Sequence, residues 1–189
     1  MLGGMGGQGI RLASQVLAQA AGFEGKQAYQ NNIYGVGVRG GAINATVVIA
    51  DDEVLSPVRD KPWGAIAMDQ RHADWFGEIV QPGGIFVVNT TLASDVPKRA
   101  DISVMGLPAT AAAESTLGNI MLATMYALGA FVRASGVVEV ESVVEALPDI
   151  LPSHRRQLIE VNGAAIRAGS AAAGPLIAER RDYNLSLKG

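Results

Sequence analysis

The sequence predicts a three-layer α/β fold, a mostly parallel sheet with helices on both faces. Three observations lead there. Short runs of apolar and β-branched residues alternate along the chain with longer segments whose apolar residues recur at helical spacing. Alternation of that kind threads parallel strands through crossover helices. Apolar residues make up 49% of the chain but aromatics only 5%, a balance suited to helices packed closely on a sheet. Finally, the glycine-rich segment Gly4-Met5-Gly6-Gly7-Gln8-Gly9 runs directly into a helical pattern, as a loop does between a strand and the helix that crosses over it.

Element by element, Met1 and Leu2 leave little strand before the glycines, so either the first strand is very short or the true N-terminus lies upstream of this Met. Ile10, Ala13, Val16, Leu17, Ala20 and Ala21 repeat at helical spacing, with Gly22 as the expected stop. Ala42 to Ala50 is β-rich and reads as a central strand closed by a turn at Asp51-Asp52. Pro57 and Pro62 mark a loop, and Gly64 to Met68 reads as a short buried strand. Arg71 to Val80 is an amphipathic helix ending at the Pro82-Gly83-Gly84 turn. Ile85 to Asn89 and Ile102 to Met105 follow as strands. Leu117 to Ser135 reads as the longest helix, apolar enough to lie buried against the sheet. Glu139 to Ala146 and Ser153 to Ala168 complete the helices, the last with Ser153 as N-cap. The domain is expected over 1–175 with a tail over 176–189, in a Rossmann-like arrangement.

Composition excludes several functions. At 189 residues the chain makes one domain with a substantial core. A net charge of -3 offers no basic face for nucleic acid. The absence of cysteine removes disulfides, thiolate metal sites and cysteine-ligated iron–sulfur clusters from this chain. His72 and His154 alone make no histidine cluster for a metal. No basic and apolar leader opens the sequence, and no apolar run reaches the ~18 residues of a membrane span. A cytoplasmic location is expected.

Gly4, Gly6 and Gly9 satisfy the G-x-G-x-x-G spacing, and a helix N-terminus behind such a loop offers unpaired N–H groups and a positive dipole end to a phosphate. A dinucleotide site would also carry an acidic residue about 20 residues on. The corresponding stretch, Gln27-Ala28-Tyr29-Gln30-Asn31-Asn32, has none, which disfavours NAD. Two readings stay open: a phosphate or other anion, or glycines that merely allow a tight turn and close packing. The second signature, Tyr34-Gly35-Val36-Gly37-Val38-Arg39-Gly40-Gly41, sets an arginine among small residues. Arg39 suits bidentate recognition of phosphate or carboxylate, or a solvated loop position. Tyr34 suits stacking or anchoring. Asn119 is expected to cap locally, and Trp63 and Trp75 to pack. His72 and Asp74 face different sides of a helix and make no catalytic pair. No nucleophile–base arrangement or carboxylate pair emerges.

In this order the signatures resemble the gamma component of the 2-oxoacid:acceptor oxidoreductases. Gly4-Met5-Gly6-Gly7-Gln8-Gly9 matches the family's G-x-G-G-Q-G, and Tyr34-Gly35 with Arg39-Gly40-Gly41 matches its Y-G-x-E-x-R-G-G. Val47-Val48-Ile49, Ser56-Pro57, Pro82-Gly83-Gly84, Leu117-Gly118-Asn119 and Ala127-Leu128-Gly129-Ala130 follow in the family's order. Gly37 stands where the family usually has Glu, so a carboxylate partner for Arg39 is missing there. Thr124 stands where Asn is frequent.

The resemblance implies a complex that converts a 2-oxoacid and coenzyme A to acyl-CoA and carbon dioxide, passing electrons to an acceptor. It implies thiamine diphosphate on alpha and beta subunits and Fe–S clusters on the beta and a ferredoxin-like delta subunit, with none of these groups held by this chain. It also leaves room for homodimerisation within the complex. Coenzyme A carries a pyrophosphate and a 3′-phosphate, which suit a glycine-rich helix N-terminus plus an arginine. The expected binding set is Gly4, Gly6, Gly7, Gln8 and Gly9 for the phosphates, with backbone N–H donation from Gly6 to Gly9. Arg39, Gly40 and Gly41 would lie beside it, and Tyr34 and Asn44 would form the pocket wall. The competing expectations are a purely structural docking subunit and a free-standing nucleotide-binding protein.

Overall fold

A computed structural model describes residues 1–34, 41–52 and 60–173. Its centre is a six-stranded sheet in the order β2-β3-β1-β4-β5-β6. The strands are β1 (Leu2–Met5), β2 (Gln27–Tyr34), β3 (Ala42–Ala50), β4 (Gly64–Ala67), β5 (Ile85–Asn89) and β6 (Ser103–Leu107). β1, β4, β5 and β6 are mutually parallel, as the alternation predicts. β3 departs from that pattern. It runs antiparallel to both β1 and β2, so β2 and β3 form a two-stranded ribbon on one flank of the parallel part. The expectation of a central strand at Ala42–Ala50 is corrected accordingly. The centre belongs to β1 and β4, and of β3 only Ala45 is buried.

The short strands alternate strictly between two cores. Ile66, Met68, Ile85 and Val87 face the helices α1 (Ile10–Phe23) and α4 (Ala123–Ser135). Ala65, Ala67, Phe86 and Val88 face α2 (Gln70–Ile79) on the opposite side. The remaining helices are α3 (Ala109–Leu117), α5 (Val140–Glu145), α6 (Leu147–Ile150) and α7 (Gln157–Ala172). α7 lies on α4 rather than on the sheet. Glycines bring these two helices together, because a Cβ on Gly129 would stand 1.9 Å from the Ile166 carbonyl oxygen and one on Gly169 would stand 1.8 Å from that of Tyr126.

Most elements shift by one to four residues from the ranges expected, and three of the differences have a local reason. α1 continues through Gly22 to Phe23, and the stop is Gly25 at φ 74°, whose left-handed backbone lets Lys26 N–H return to the Ala21 carbonyl. The single helix expected over Leu117–Ser135 is broken by Gly118 at φ 68°. Beyond it Asn119 caps a 3₁₀ turn, Ile120–Leu122, its Oδ1 accepting from Met121 N–H at 3.0 Å. Among the described residues the longest helix is therefore α7, with 16 residues. Ser153 opens a 3₁₀ turn, Ser153–Arg155, without a side-chain cap bond, and α7 begins only at Gln157. Among the described residues no helix is long and apolar enough to cross a membrane. The expected tail, 176–189, lies outside the described residues.

Candidate functional site

β1 and β4 are parallel neighbours, but the chain leaves them for opposite faces: β1 feeds α1 and β4 feeds α2. Where crossover helices diverge in this way a crevice opens beyond the carboxyl ends of the strands, the usual ligand position in an open α/β sheet. Here the Gly6–Gly9 loop and the Met68–Asp69 turn follow the two strand ends, and Ala42 at the start of β3 pairs with Met5 beside them.

The glycine segment begins inside the sheet. Gly4 lies in β1 opposite Ile43, and a Cβ there would stand 2.5 Å from Gln8 Oε1. The space is needed because Gln8 folds back, its Oε1 accepting from Met5 N–H at 2.7 Å. Gln8 N–H donates to the Met5 carbonyl at 3.1 Å, and Gly6 N–H donates to the Gly41 carbonyl at 2.9 Å. The Thr124 hydroxyl on α4 donates to the Gln8 carbonyl. Gly7 (φ 95°) and Gly9 (φ 83°) turn the chain through left-handed backbone that other residues rarely adopt.

This corrects the expectation that Gly6, Gly7, Gln8 and Gly9 all offer N–H groups to a phosphate. Gly6 and Gln8 spend theirs within the chain. In this loop and the first turn of α1, the N–H groups of Gly7, Gly9, Ile10, Arg11 and Leu12 have no partner among the described residues.

The two described ends of the second signature, Tyr34 and Gly41, lie beside this loop. Gly41 accepts from Gly6, and the backbone of Tyr34 pairs in register with Ile43, so the β2–β3 connection ends beside the loop. Arg39 and Gly40 lie outside the described residues, as does Ser56-Pro57.

Asn44 pairs with Gly3 on the α2 side of the sheet, the side opposite α1. With Ala42, Arg71, His72 and Trp75 it lines a recess of about 280 Å³. Its Oδ1 is buried without a hydrogen-bond partner. Trp63 packs against the core as expected, but Trp75 is 41% exposed at the recess.

Several site residues escaped the sequence reading. Asp69 caps α2, its Oδ1 accepting from His72 N–H at 3.0 Å and lying 2.7 Å from His72 Nδ1. Burial pushes the Asp69 carboxyl up. Hydrogen bonds from the His72 ring and backbone, with the charges of His72 and Arg71, outweigh that and hold it below the usual carboxylate range. The acid directly before a helix was the available signal. His72 is buried against Gly3, where a Cβ would meet its ring at 2.3 Å. Asn89, at the carboxyl end of β5, donates to the Met68 carbonyl and to Thr110 Oγ1, and accepts from Thr110 N–H. It thereby fixes the Met68 side of the crevice against α3. No group of His, Asp or Glu among the described residues has the density of a metal site.

The model of one family, pyruvate ferredoxin/flavodoxin oxidoreductase, matches residues 1–172. The chain belongs to that family. It is 34% identical over 174 residues to the 2-oxoglutarate synthase subunit KorC of Methanothermobacter marburgensis, a match spanning 89% of this chain and 92% of the relative. Among solved structures, the gamma subunit of a keto/oxoacid ferredoxin oxidoreductase from Geobacter sulfurreducens superposes with a TM-score of 0.76 at 30% identity, covering 91% of this chain and 95% of that one. The fold also recurs in the 2-oxoglutarate:ferredoxin oxidoreductase of Magnetococcus marinus, solved with 2-oxoglutarate, coenzyme A and succinyl-CoA bound. There the TM-score is 0.78 at 20% identity, over 91% of this chain and 30% of the longer one.

Proposed function

We propose that this chain is the gamma subunit of a 2-oxoacid:acceptor oxidoreductase and contributes to its coenzyme A site. Thiamine diphosphate and Fe–S clusters belong in this reading to alpha, beta and ferredoxin-like delta subunits, in keeping with a chain that has no cysteine to ligate a cluster. The observation that carries the coenzyme A assignment is the crevice at the β1/β4 divergence. Unpartnered N–H groups of Gly7, Gly9 and the first turn of α1 open there, and the Arg39 segment ends at Gly41 against Gly6. A pyrophosphate gains from both features, the donors and dipole of the helix end and a guanidinium fork.

Arg39→Ala in the assembled enzyme should raise the Michaelis constant for coenzyme A about tenfold, a fair loss for one charged contact, and leave that for the 2-oxoacid unchanged. An unaltered coenzyme A dependence sinks the assignment.

A docking role has its own support. Register puts Met5, Tyr29 and Ile33 on the face that carries Asn44, and they are 39%, 43% and 58% exposed. Such an apolar surface suits a partner subunit. Protection of the 27–34 strand from hydrogen exchange on assembly, without coenzyme A, would identify that contact.

A further inference from the structure

We propose that the recess between β3 and α2 seats the purine ring of coenzyme A, stacked on Trp75, with the exocyclic amine donating to Asn44 Oδ1. The inference rests on the coenzyme A reading and adds to it the place and the chemistry of the adenine end. The recess combines features that seldom coincide without a ligand. Asn44 Oδ1 is buried and unpartnered, and buried acceptors are nearly always satisfied. A large aromatic, Trp75, stands 41% exposed beside it. Arg71 lines the same space and makes no ion pair among the described residues.

The complement of one buried acceptor, an aromatic wall and a cation at the rim is a flat, donor-bearing ring attached to an anion. A purine nucleotide has that form. A volume of about 280 Å³ admits a bicyclic ring, and the floor is already filled, because His72 is held over Gly3 by its Asp69 contact. The recess also adjoins the glycine loop. Ala42, one of its lining residues, pairs with Met5 and follows Gly41, which accepts from Gly6. Phosphates at the α1 N-terminus and a base in the recess are thus served by neighbouring backbone.

The test uses the assembled complex with three probes: coenzyme A, adenosine 3′,5′-bisphosphate and 4′-phosphopantetheine. Hydrogen exchange is followed over 42–50 and 69–79, and kinetic constants are measured for Asn44→Leu and Trp75→Leu. Coenzyme A and the bisphosphate should slow exchange in both segments, whereas phosphopantetheine should not. Each substitution should raise the coenzyme A Michaelis constant and the bisphosphate inhibition constant together, about tenfold. Trp75 is partly exposed, so its replacement keeps the test valid if Asn44→Leu fails to fold. Protection confined to the glycine loop, with both variants unaffected, overturns the recess assignment and leaves the coenzyme A reading standing. No protection anywhere in this chain by coenzyme A overturns both. Protection of the recess on assembly, indifferent to coenzyme A, assigns it to a partner subunit and refutes the proposal.

Discussion

Replacing Gly129 by alanine sets two opposed effects against each other at one position. In an open helix interior the change is favourable, by about 1 kcal/mol, because alanine restricts the unfolded chain and exposes less backbone. At Gly129 the new methyl would lie 1.9 Å from the Ile166 carbonyl oxygen, where ordinary contact begins at 3.4 Å. The obstacle is backbone, so no rotamer relieves it, and α7 must move about 1.5 Å from α4. Overpacking of that kind costs about 3 kcal/mol at the upper end of its usual range. The expected net loss is ~2 kcal/mol, a fall in Tm of about 4–8 °C for a chain of this size.

Gly22→Ala is the matched control. Gly22 lies inside α1 with nothing within 4 Å of its Cβ position, so the same change there should stabilise by about 1 kcal/mol. Urea denaturation followed by circular dichroism gives both values, with equal m-values as the check on two-state behaviour. Equal stability changes in the two variants would refute the idea that glycines set the α4–α7 seam.

Thr124→Val removes the hydroxyl that donates to the Gln8 carbonyl while keeping side-chain volume. It should cost ~1 kcal/mol and speed amide exchange across 6–9; unchanged exchange would show that α4 does not steady the loop. The Asp69 carboxyl sits below the usual carboxylate range in the folded chain, so its stabilisation is complete above its unfolded pKa and fades as acid protonates it. The stability gap between wild type and Asp69→Asn should therefore be constant above about pH 6 and shrink below about pH 4. A gap as wide at pH 3 as at pH 7 would contradict the assigned cause.

Much of this architecture was legible before any coordinates, because hydrophobic period reports which face of an element is covered. The crossing of apolar runs with helical spacing identified the parallel strands and α2. The glycine loop feeding Ile10 located the start of α1. The family's signatures were legible for the same reason, since they mark turns and close approaches that few other residues permit. What period cannot report is the neighbour. Nothing in Gln27–Tyr34 or Ala42–Ala50 states that the two pair antiparallel and enter the sheet beside β1.

The sequence by itself determined the alternation of strands and helices, the exclusion of thiolate chemistry and the position of a glycine-lined helix start, all properties of local covalent geometry and composition. Only the tertiary structure decided which loop N–H groups are left unpaired, that Gly129 and Gly169 are the seam between α4 and α7, and that Asn44, Arg71, His72 and Trp75 share one recess. Those are matters of distance between residues far apart in the chain. They are settled when the sheet brings β3 beside β1 and α2 across it, and no local pattern carries them.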